Sequence, residues 1–171
     1  MVCFDVLGFD VLGFDVLGFD GLNNRSMSIY VFIYGTLRAG EINDLAQAAA
    51  QRGLPAAQWV GHATVPGMLV DFGQWPGLIP VADGRRVRGD VYRVDPALIA
   101  LMDEIEEYVP GQPGCFVRRE ITARLEAPLG GSLDLPCQYY PIDPAHRASA
   151  VDVFEEDWIA YRQARLSPPG A

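Results

Sequence analysis

Strand-like segments dominate this chain and limit its possible folds more than any other feature. Residues 29–34 form a short apolar run rich in β-branched and aromatic side chains, which is typical of a strand buried on both faces. Further segments with strand character are residues 58–72, read as two pieces with a bend between them, and residues 87–94, 116–126 and 133–140. These segments outnumber the helical ones and do not alternate regularly with them. We therefore predict an α+β fold with a curved mixed sheet or barrel.

Three segments are predicted as helices. Residues 41–52 are alanine-rich and are followed by Gly53 and Pro55, which stop a helix. A second helix is expected to begin with Asp95 as its N-cap and Pro96 as its first residue. Its core face is predicted from apolar residues at helical spacing: Leu98, Leu101, Met102 and Ile105. The third is predicted over residues 149–165, with the apolar stripe Val151, Phe154, Trp158 and Tyr161.

The N-terminal segment is a short repeat that differs from the rest of the chain. The sequence FDVLG occurs three times in residues 4–18, and Phe19 and Asp20 begin a fourth copy. So few copies cannot bury a core of their own, because stacked repeats need several neighbours. We expect residues 1–26 to be a disordered or spurious extension and residues 27–167 to form the domain, with a natural start at Met27.

The charge of the chain excludes several classes of function. Its formal net charge of −9 argues against a nucleic-acid partner and against binding to an anionic membrane surface, since both require basic patches. All 13 basic residues are arginine, so neither Schiff-base chemistry nor the lysine of a phosphate-binding loop is available.

Cysteine and histidine are too sparse to indicate a metal site or a disulfide framework. The three cysteines are scattered, and the two histidines lack metal-binding spacing: Cys3, Cys115, Cys137, His62 and His146. There is also no apolar run long enough to span a membrane and no secretory signal. We expect a cytoplasmic protein with reduced thiols, no metal and no cofactor.

The first candidate for chemistry is YGTLR, residues 34–38, at the end of the first predicted strand. A strand that stops at Gly35 and Thr36 exposes backbone N–H groups, which can form a concave site for a carboxylate or a developing oxyanion. The alternative is an ordinary turn between a strand and a loop. Local sequence does not decide between these two interpretations.

The second candidate is the acidic end of the second helix, MDEIEEY. At about 100° per residue, Glu106 lies on the flank of the apolar face, Glu104 is slightly worse placed, and Glu107 points nearly opposite that face. A carboxyl partly covered by apolar residues and close to other acids should have a raised pKa, as a general base near neutrality requires. The alternative is that these acids simply form a solvated helix end. Helical geometry favours Glu106 as the partly buried acid but does not exclude this alternative.

The order of these motifs resembles the γ-glutamylcyclotransferase-like superfamily, in particular its AIG2-like branch. The family signature Y-G-T-L-(R/K)-x-G-x-x-N is complete at residues 34–43, and a block with Pro-Gly-x-Leu followed by Trp-Pro-Gly-Leu covers residues 66–78. Similar motifs follow as GDVY at residues 89–92, MDEIEE at residues 102–107 and FVRR at residues 116–119. The similarity extends over about residues 29–140.

The resemblance implies a five- or six-stranded barrel-like sheet with flanking helices. It also implies conversion of a small γ-glutamyl amine or amide to 5-oxoproline and a free amine, without metal or cofactor. Glu106 matches the family's catalytic glutamate. The implied substrate-binding residues are those of the signature loop: Tyr34, Gly35, Thr36, Leu37, Arg38 and Asn43.

Two departures from the family pattern bear on substrate choice and turnover. Glu107 stands where the family has glycine, and Phe116 stands where it has tyrosine. A non-catalytic module that binds a small molecule or a protein on the same fold is therefore the alternative function. We expect a monomer or a small homo-oligomer.

Overall fold

The computed structural model of the protein describes residues 29–126 and 131–166. The predicted N-terminal extension, residues 1–26, lies outside this part of the chain. The strands are β1 (Ile29–Ile33), β2 (Gln58–Pro66), β3 (Met68–Asp71), β4 (Pro76–Ile79), β5 (Arg86–Val94), β6 (Arg119–Glu126), β7 (Ser132–Tyr139) and β8 (Val151–Val153). The α-helices are α1 (Leu45–Gln51), α2 (Pro96–Ile105) and α3 (Trp158–Leu166), and Pro144–Ser149 is a 3-10 helix.

Five strands close into a barrel in the order β1-β5-β2-β6-β7. Antiparallel pairing joins β1 to β5, β5 to β2, β2 to β6 and β6 to β7. The barrel is closed by a parallel contact between β1 and β7, with Val31 opposite Gln138. The predicted mixed, barrel-like α+β fold is therefore confirmed. β6 and β7, which follow each other in the chain, are neighbours in the barrel.

The first strand is apolar throughout because both of its faces are covered. Phe32 belongs to a buried cluster with side chains from all five barrel strands. Val31 and Ile33, which alternate with it, pack instead in a second cluster with residues of α1 and α2. This double burial holds the end of β1 firmly beside α2, where the candidate site lies.

A small second sheet, in the order β4-β3-β8, lies outside the barrel strands. Leu69 of β3 pairs with Leu78 of β4 on one side and with Val153 of β8 on the other. The sequence does not predict β4, because residues 76–79 are not among the segments with strand character. β4 has only four residues, and the first two are Pro76 and Gly77. It therefore lacks the alternation of apolar and polar residues that identifies a strand in sequence.

Helix α1 begins later than predicted, at Leu45 rather than at residue 41. Asp44 is the reason, because its carboxylate accepts hydrogen bonds from the backbone N–H groups of Ala46 and Gln47 and so caps the helix. The residues before it form turns. By contrast, α2 begins as predicted, with Asp95 accepting from the N–H of Ala97.

The predicted third helix over residues 149–165 is wrong in its first half. Val151 lies in β8 and Phe154 follows that strand, and their side chains are 67% and 86% exposed, so neither belongs to a core stripe. Asp157 caps the real helix by accepting from the N–H of Ile159. Only Trp158, which is buried, and Tyr161 keep the predicted helical packing.

The strand predicted over residues 116–126 begins at Arg119, and Phe116 forms only an isolated bridge with Ile142. Within the described residues, none of the helices has the length and hydrophobicity needed to cross a bilayer.

Candidate active site

A cavity of about 360 Å³ opens where the end of β1, the end of α2 and the turn between β3 and β4 come together. It therefore brings together the two sequence candidates, which lie 70 residues apart in the chain. From the signature loop it is lined by Tyr34, Gly35, Thr36, Leu37 and Asn43, and from the helix end by Glu106 and Glu107. This volume falls within the range of small-molecule sites.

Glu106 is the C-cap residue of α2, and its carboxyl is partly buried in the cavity wall. Its backbone N–H donates to the carbonyl of Met102 at 2.9 Å, so the backbone at this position is fixed. Within residues 29–126 and 131–166, no side chain forms a hydrogen bond or an ion pair with the carboxylate. Burial raises the pKa of this carboxyl from its ordinary 4.5 to about 7.

Two of the other acids at the end of α2, Asp103 and Glu104, do not line the cavity. Asp103 accepts from Arg118 at 2.6 Å and from the Tyr140 hydroxyl at 2.7 Å, and Glu104 pairs with Arg52 on the surface. Both carboxylates therefore have arginine partners of their own. The raised pKa of Glu106 comes from burial, and not from the acidic neighbours that were expected to add to it.

Glu107 occupies a place that helical geometry did not predict. It was expected to point nearly opposite the apolar face, but α2 ends at Ile105 and the 100° rotation per residue stops there. Glu107 has φ +52° and is the only non-glycine residue with positive φ in the described part of the chain. This left-handed turn brings the residue to the cavity wall, beside Glu106.

The hydroxyl of Tyr34 is fully used within the protein. It donates to the carbonyl of Tyr140 at 2.7 Å and accepts from the N–H of Leu78 at 3.2 Å, so it links the ends of β1, β7 and the second sheet. Burial, and next the charge of Glu106, raise the pKa of this hydroxyl well above its ordinary value. Tyr34 lines the cavity together with the rest of the signature loop, but its hydroxyl forms hydrogen bonds within the protein and stabilises the cavity wall.

Backbone N–H groups are available in the part of the signature loop that lines the cavity. Gly35, Thr36 and Leu37 line it, and in the described residues their N–H groups donate no hydrogen bond to the protein. Gly35 is required here because a Cβ would lie 2.6 Å from Cγ of Pro76, which packs against it and also lines the cavity. These N–H groups can bind a carboxylate or an oxyanion without displacing a partner.

Asn43 stabilises the signature loop through two hydrogen bonds to Thr36. Its backbone N–H donates to the Thr36 carbonyl at 3.0 Å, and its side-chain amide donates to the Thr36 hydroxyl at 3.2 Å. Both residues also line the cavity. Asn43 therefore fixes the loop, and its exposed side chain lies at the cavity rim.

Arg38, a predicted substrate-binding residue, is not part of the cavity wall. Its guanidinium is buried and pairs with Asp90 at 2.7 Å and with Asp157 at 3.0 Å, while Asp90 also contacts His62 Nδ1. A buried arginine held by two carboxylates has a raised pKa despite the opposing effect of burial. The structure does not bring Arg38 to the cavity with the other residues of the signature loop, and its contact with substrate stays a prediction.

Aromatic residues that the sequence did not assign to binding complete the cavity. Trp75 stacks on Phe72 with ring centroids 4.0 Å apart and lies 5.3 Å from Phe116, and both Trp75 and Phe116 line the cavity. The Trp-Pro-Gly-Leu block was visible in sequence, but nothing in it indicated which side of the turn faces the site. The exposed rim residues Ile42 and Gln74 carried no sequence signal.

No group of three or more His, Cys, Asp or Glu side chains within the described ranges is arranged to hold a metal ion. The polar groups that line the cavity include the carboxylates of Glu106 and Glu107, the side-chain amides of Asn43 and Gln74, and backbone amides. Such an arrangement can accept a proton, hold an anion through N–H groups and cover an apolar chain with aromatic rings.

A family model described as γ-glutamyl cyclotransferase, AIG2-like, matches residues 31–160. The chain belongs to this family. Among curated cyclotransferases, γ-glutamylaminecyclotransferase of Bos taurus is 32% identical over 103 residues, which cover 58% of this chain and 59% of the bovine protein. The γ-L-glutamyl-butirosin B γ-glutamyl cyclotransferase of Niallia circulans is 30% identical over 85% of each chain. The bovine protein is thus matched over less than two thirds of its length.

Solved structures of low sequence identity share the fold of this cyclotransferase-family chain. The crystal structure of an AIG2-like protein from Mus musculus matches with a TM-score of 0.59 at 20% identity, over 77% of this chain and 88% of the mouse protein. YkqA of Bacillus subtilis matches with a TM-score of 0.60 at 19% identity, over 83% of this chain and 44% of its own. The family and the fold expected from the sequence are both confirmed.

Proposed function

We propose that this protein is a γ-glutamyl cyclotransferase that converts a small γ-glutamyl amine or amide to 5-oxoproline and a free amine, with Glu106 as the general acid and base. The observation that carries the proposal is the position of one unpaired, partly buried carboxyl in the same cavity wall as the free N–H groups of residues 35–37. Membership of the family supports it.

The reaction requires proton transfer and positioning but no protein nucleophile. The substrate's α-nitrogen attacks its own γ-carbonyl carbon, a C–N bond forms, and the bond to the departing nitrogen breaks. Two protons leave the α-nitrogen and two reach the departing amine, which leaves as an ammonium ion. A carboxyl with a pKa of about 7 can take such a proton and return it near neutral pH.

Positioning supplies the rest of the catalysis. Ring closure is intramolecular even in solution, so the protein does not need to bring two molecules together. Holding the flexible substrate chain in its folded form lowers the entropic cost of reaching the transition state. The N–H groups of Gly35, Thr36 and Leu37 are available to hold the substrate's α-carboxylate or to stabilise the oxyanion formed at the γ-carbonyl. The apolar surfaces of Trp75 and Phe116 shield the reacting atoms from water.

The test is to incubate the protein with a panel of γ-glutamyl amines and dipeptides and to measure 5-oxoproline. We expect product from the wild-type protein and a loss of about 100-fold or more in kcat/KM for Glu106→Gln, the usual range for removal of a general base. Glu104→Gln is the matched control, because this neighbouring acid pairs with Arg52 away from the cavity. Equal activity of Glu106→Gln and wild type would refute the role of Glu106, and no product from any compound would favour the non-catalytic binding module.

A further inference from the structure

The four carboxylates at the end of α2 fall into two classes. Asp103 and Glu104 are neutralised by Arg118 and Arg52, at 2.6 Å and 2.5 Å. The two that line the cavity, Glu106 and Glu107, have no cationic partner among the described residues. The negative charge that remains uncompensated at this helix end is therefore the charge that faces the cavity.

Among the described residues, the cavity rim carries one ionisable side chain. The lining residues with exposed side chains are Ile42, Asn43, Gln74 and Glu107, and of these four only Glu107 has an ionisable group. No arginine or histidine lines the described cavity wall. A ligand group that reaches the rim thus meets an acidic side chain and no basic one.

Glu107 is held in this place by the backbone around it. Its N–H donates to the carbonyl of Glu104 at 3.2 Å, and the N–H of Tyr108 donates to the carbonyl of Asp103 at 2.8 Å. These two bonds form the helix-ending motif that normally places glycine at the left-handed position. Glu107 is exposed and lines the cavity together with Glu106 and Cys115.

We propose that Glu107 selects γ-glutamyl substrates whose departing amine carries a second, positively charged group, such as the γ-glutamyl amide of a diamine. This inference rests on the cyclotransferase function proposed above. The γ-glutamyl half must lie against Glu106 and residues 35–37, so the departing amine extends toward the rim. There an ammonium group gains an ion pair with Glu107, an alkyl group gains none, and a carboxylate is repelled.

Three amides of equal chain length isolate the charge: γ-glutamylputrescine, γ-glutamylpentylamine, which has a methyl group in place of the terminal ammonium, and the γ-glutamyl amide of 5-aminopentanoate. We expect wild-type kcat/KM to be about fivefold higher for the cationic amide than for the neutral one, the size of an exposed ion pair, and lower still for the anionic amide. The ratio should fall at high salt. It should approach one in Glu107→Gln and be retained in the control Glu104→Gln.

Equal kcat/KM for the cationic and neutral amides in the wild type would overturn the inference, as would a preference that survives in Glu107→Gln. The same three compounds are also measured by calorimetric binding to the wild type and to Glu107→Gln. If neither these three amides nor any compound of the panel yields 5-oxoproline, the proposed function fails, and the binding data alone decide the role of Glu107. Tighter binding of the cationic amide that is lost in Glu107→Gln supports that role, and equal binding of the three compounds refutes it.

Discussion

The protonation of Glu106 should make the stability of this fold depend on pH in a way that one substitution removes. Burial raises the pKa of the carboxyl in the folded protein to about 7, whereas in the unfolded chain it has its ordinary value of 4.5. The folded state therefore binds this proton more tightly than the unfolded state. Below pH 4.5 the carboxyl is protonated in both states, and as pH rises toward 7 the folded state loses stability relative to the unfolded one.

The magnitude follows from the difference between these two pKa values. At roughly 1.4 kcal/mol per pH unit, a shift from 4.5 to about 7 amounts to about 3 kcal/mol. The carboxyl is only partly buried, so solvent screening reduces the expected effect to about 2 kcal/mol. Glu106→Gln cannot ionise, and its free energy of unfolding should lack this contribution.

The assay is urea unfolding of the wild type, Glu106→Gln and Glu104→Gln between pH ~4 and ~8.5, the interval that brackets both pKa values. The stability of Glu106→Gln relative to the wild type should increase by about 2 kcal/mol across this interval and level off above pH ~7.5. The exposed Glu104→Gln control should show no such rise. A constant difference between Glu106→Gln and the wild type would mean that Glu106 titrates as an exposed residue, and the reasoning from burial would be refuted.

Three further substitutions test the roles of residues that line the cavity or stabilise the fold next to it. Tyr34→Phe should lower the free energy of unfolding by about 1–3 kcal/mol, measured by urea titration, because the buried Leu78 N–H and Tyr140 carbonyl lose their partner; no change would contradict the linking role. Glu107→Gly should raise it by about 0.5–1 kcal/mol in the same assay, since glycine adopts the left-handed φ without strain but loses more entropy on folding; a decrease would show that the Glu107 side chain itself stabilises the turn. Arg38→Met should destabilise the fold by about 3 kcal/mol by leaving two carboxylates without their buried partner. Its KM, measured on folded protein at low temperature, should stay close to that of the wild type. A large rise in KM would show that Arg38 takes part in substrate binding.

Local signals predicted the elements that position the site. The apolar run at the start of the domain is a buried strand, and Asp95 with Pro96 begins α2 as expected. Once α2 was placed, its apolar face put Glu106 at the edge of the core, where the structure has it. These predictions succeeded because each depends on residues that are close together in the sequence.

Where the structure departs from what the sequence suggested, the cause is either the end of a helix or a contact with a distant part of the chain. Glu107 lines the cavity because α2 ends at Ile105 and the backbone at Glu107 adopts a left-handed conformation. A prediction that continues the helical rotation of 100° per residue past Ile105 places this side chain elsewhere. Arg38 follows the signature loop directly, yet the carboxylates of Asp90 and Asp157 draw it away from the cavity. Val151 has helical spacing relative to Trp158 but lies in a strand, because β3 offers it an edge to pair with.

The pH dependence of kcat/KM for 5-oxoproline formation tests the central claim most directly, namely that the buried carboxyl of Glu106 is the base for ring closure. It is measured on the best substrate of the panel from pH ~5 to ~9. The carboxyl must be ionised to accept the proton, so log kcat/KM should rise with a slope of about one at low pH and bend at about pH 7. A profile with no bend near pH 7, or the same bend in Glu106→Gln, would contradict the assignment.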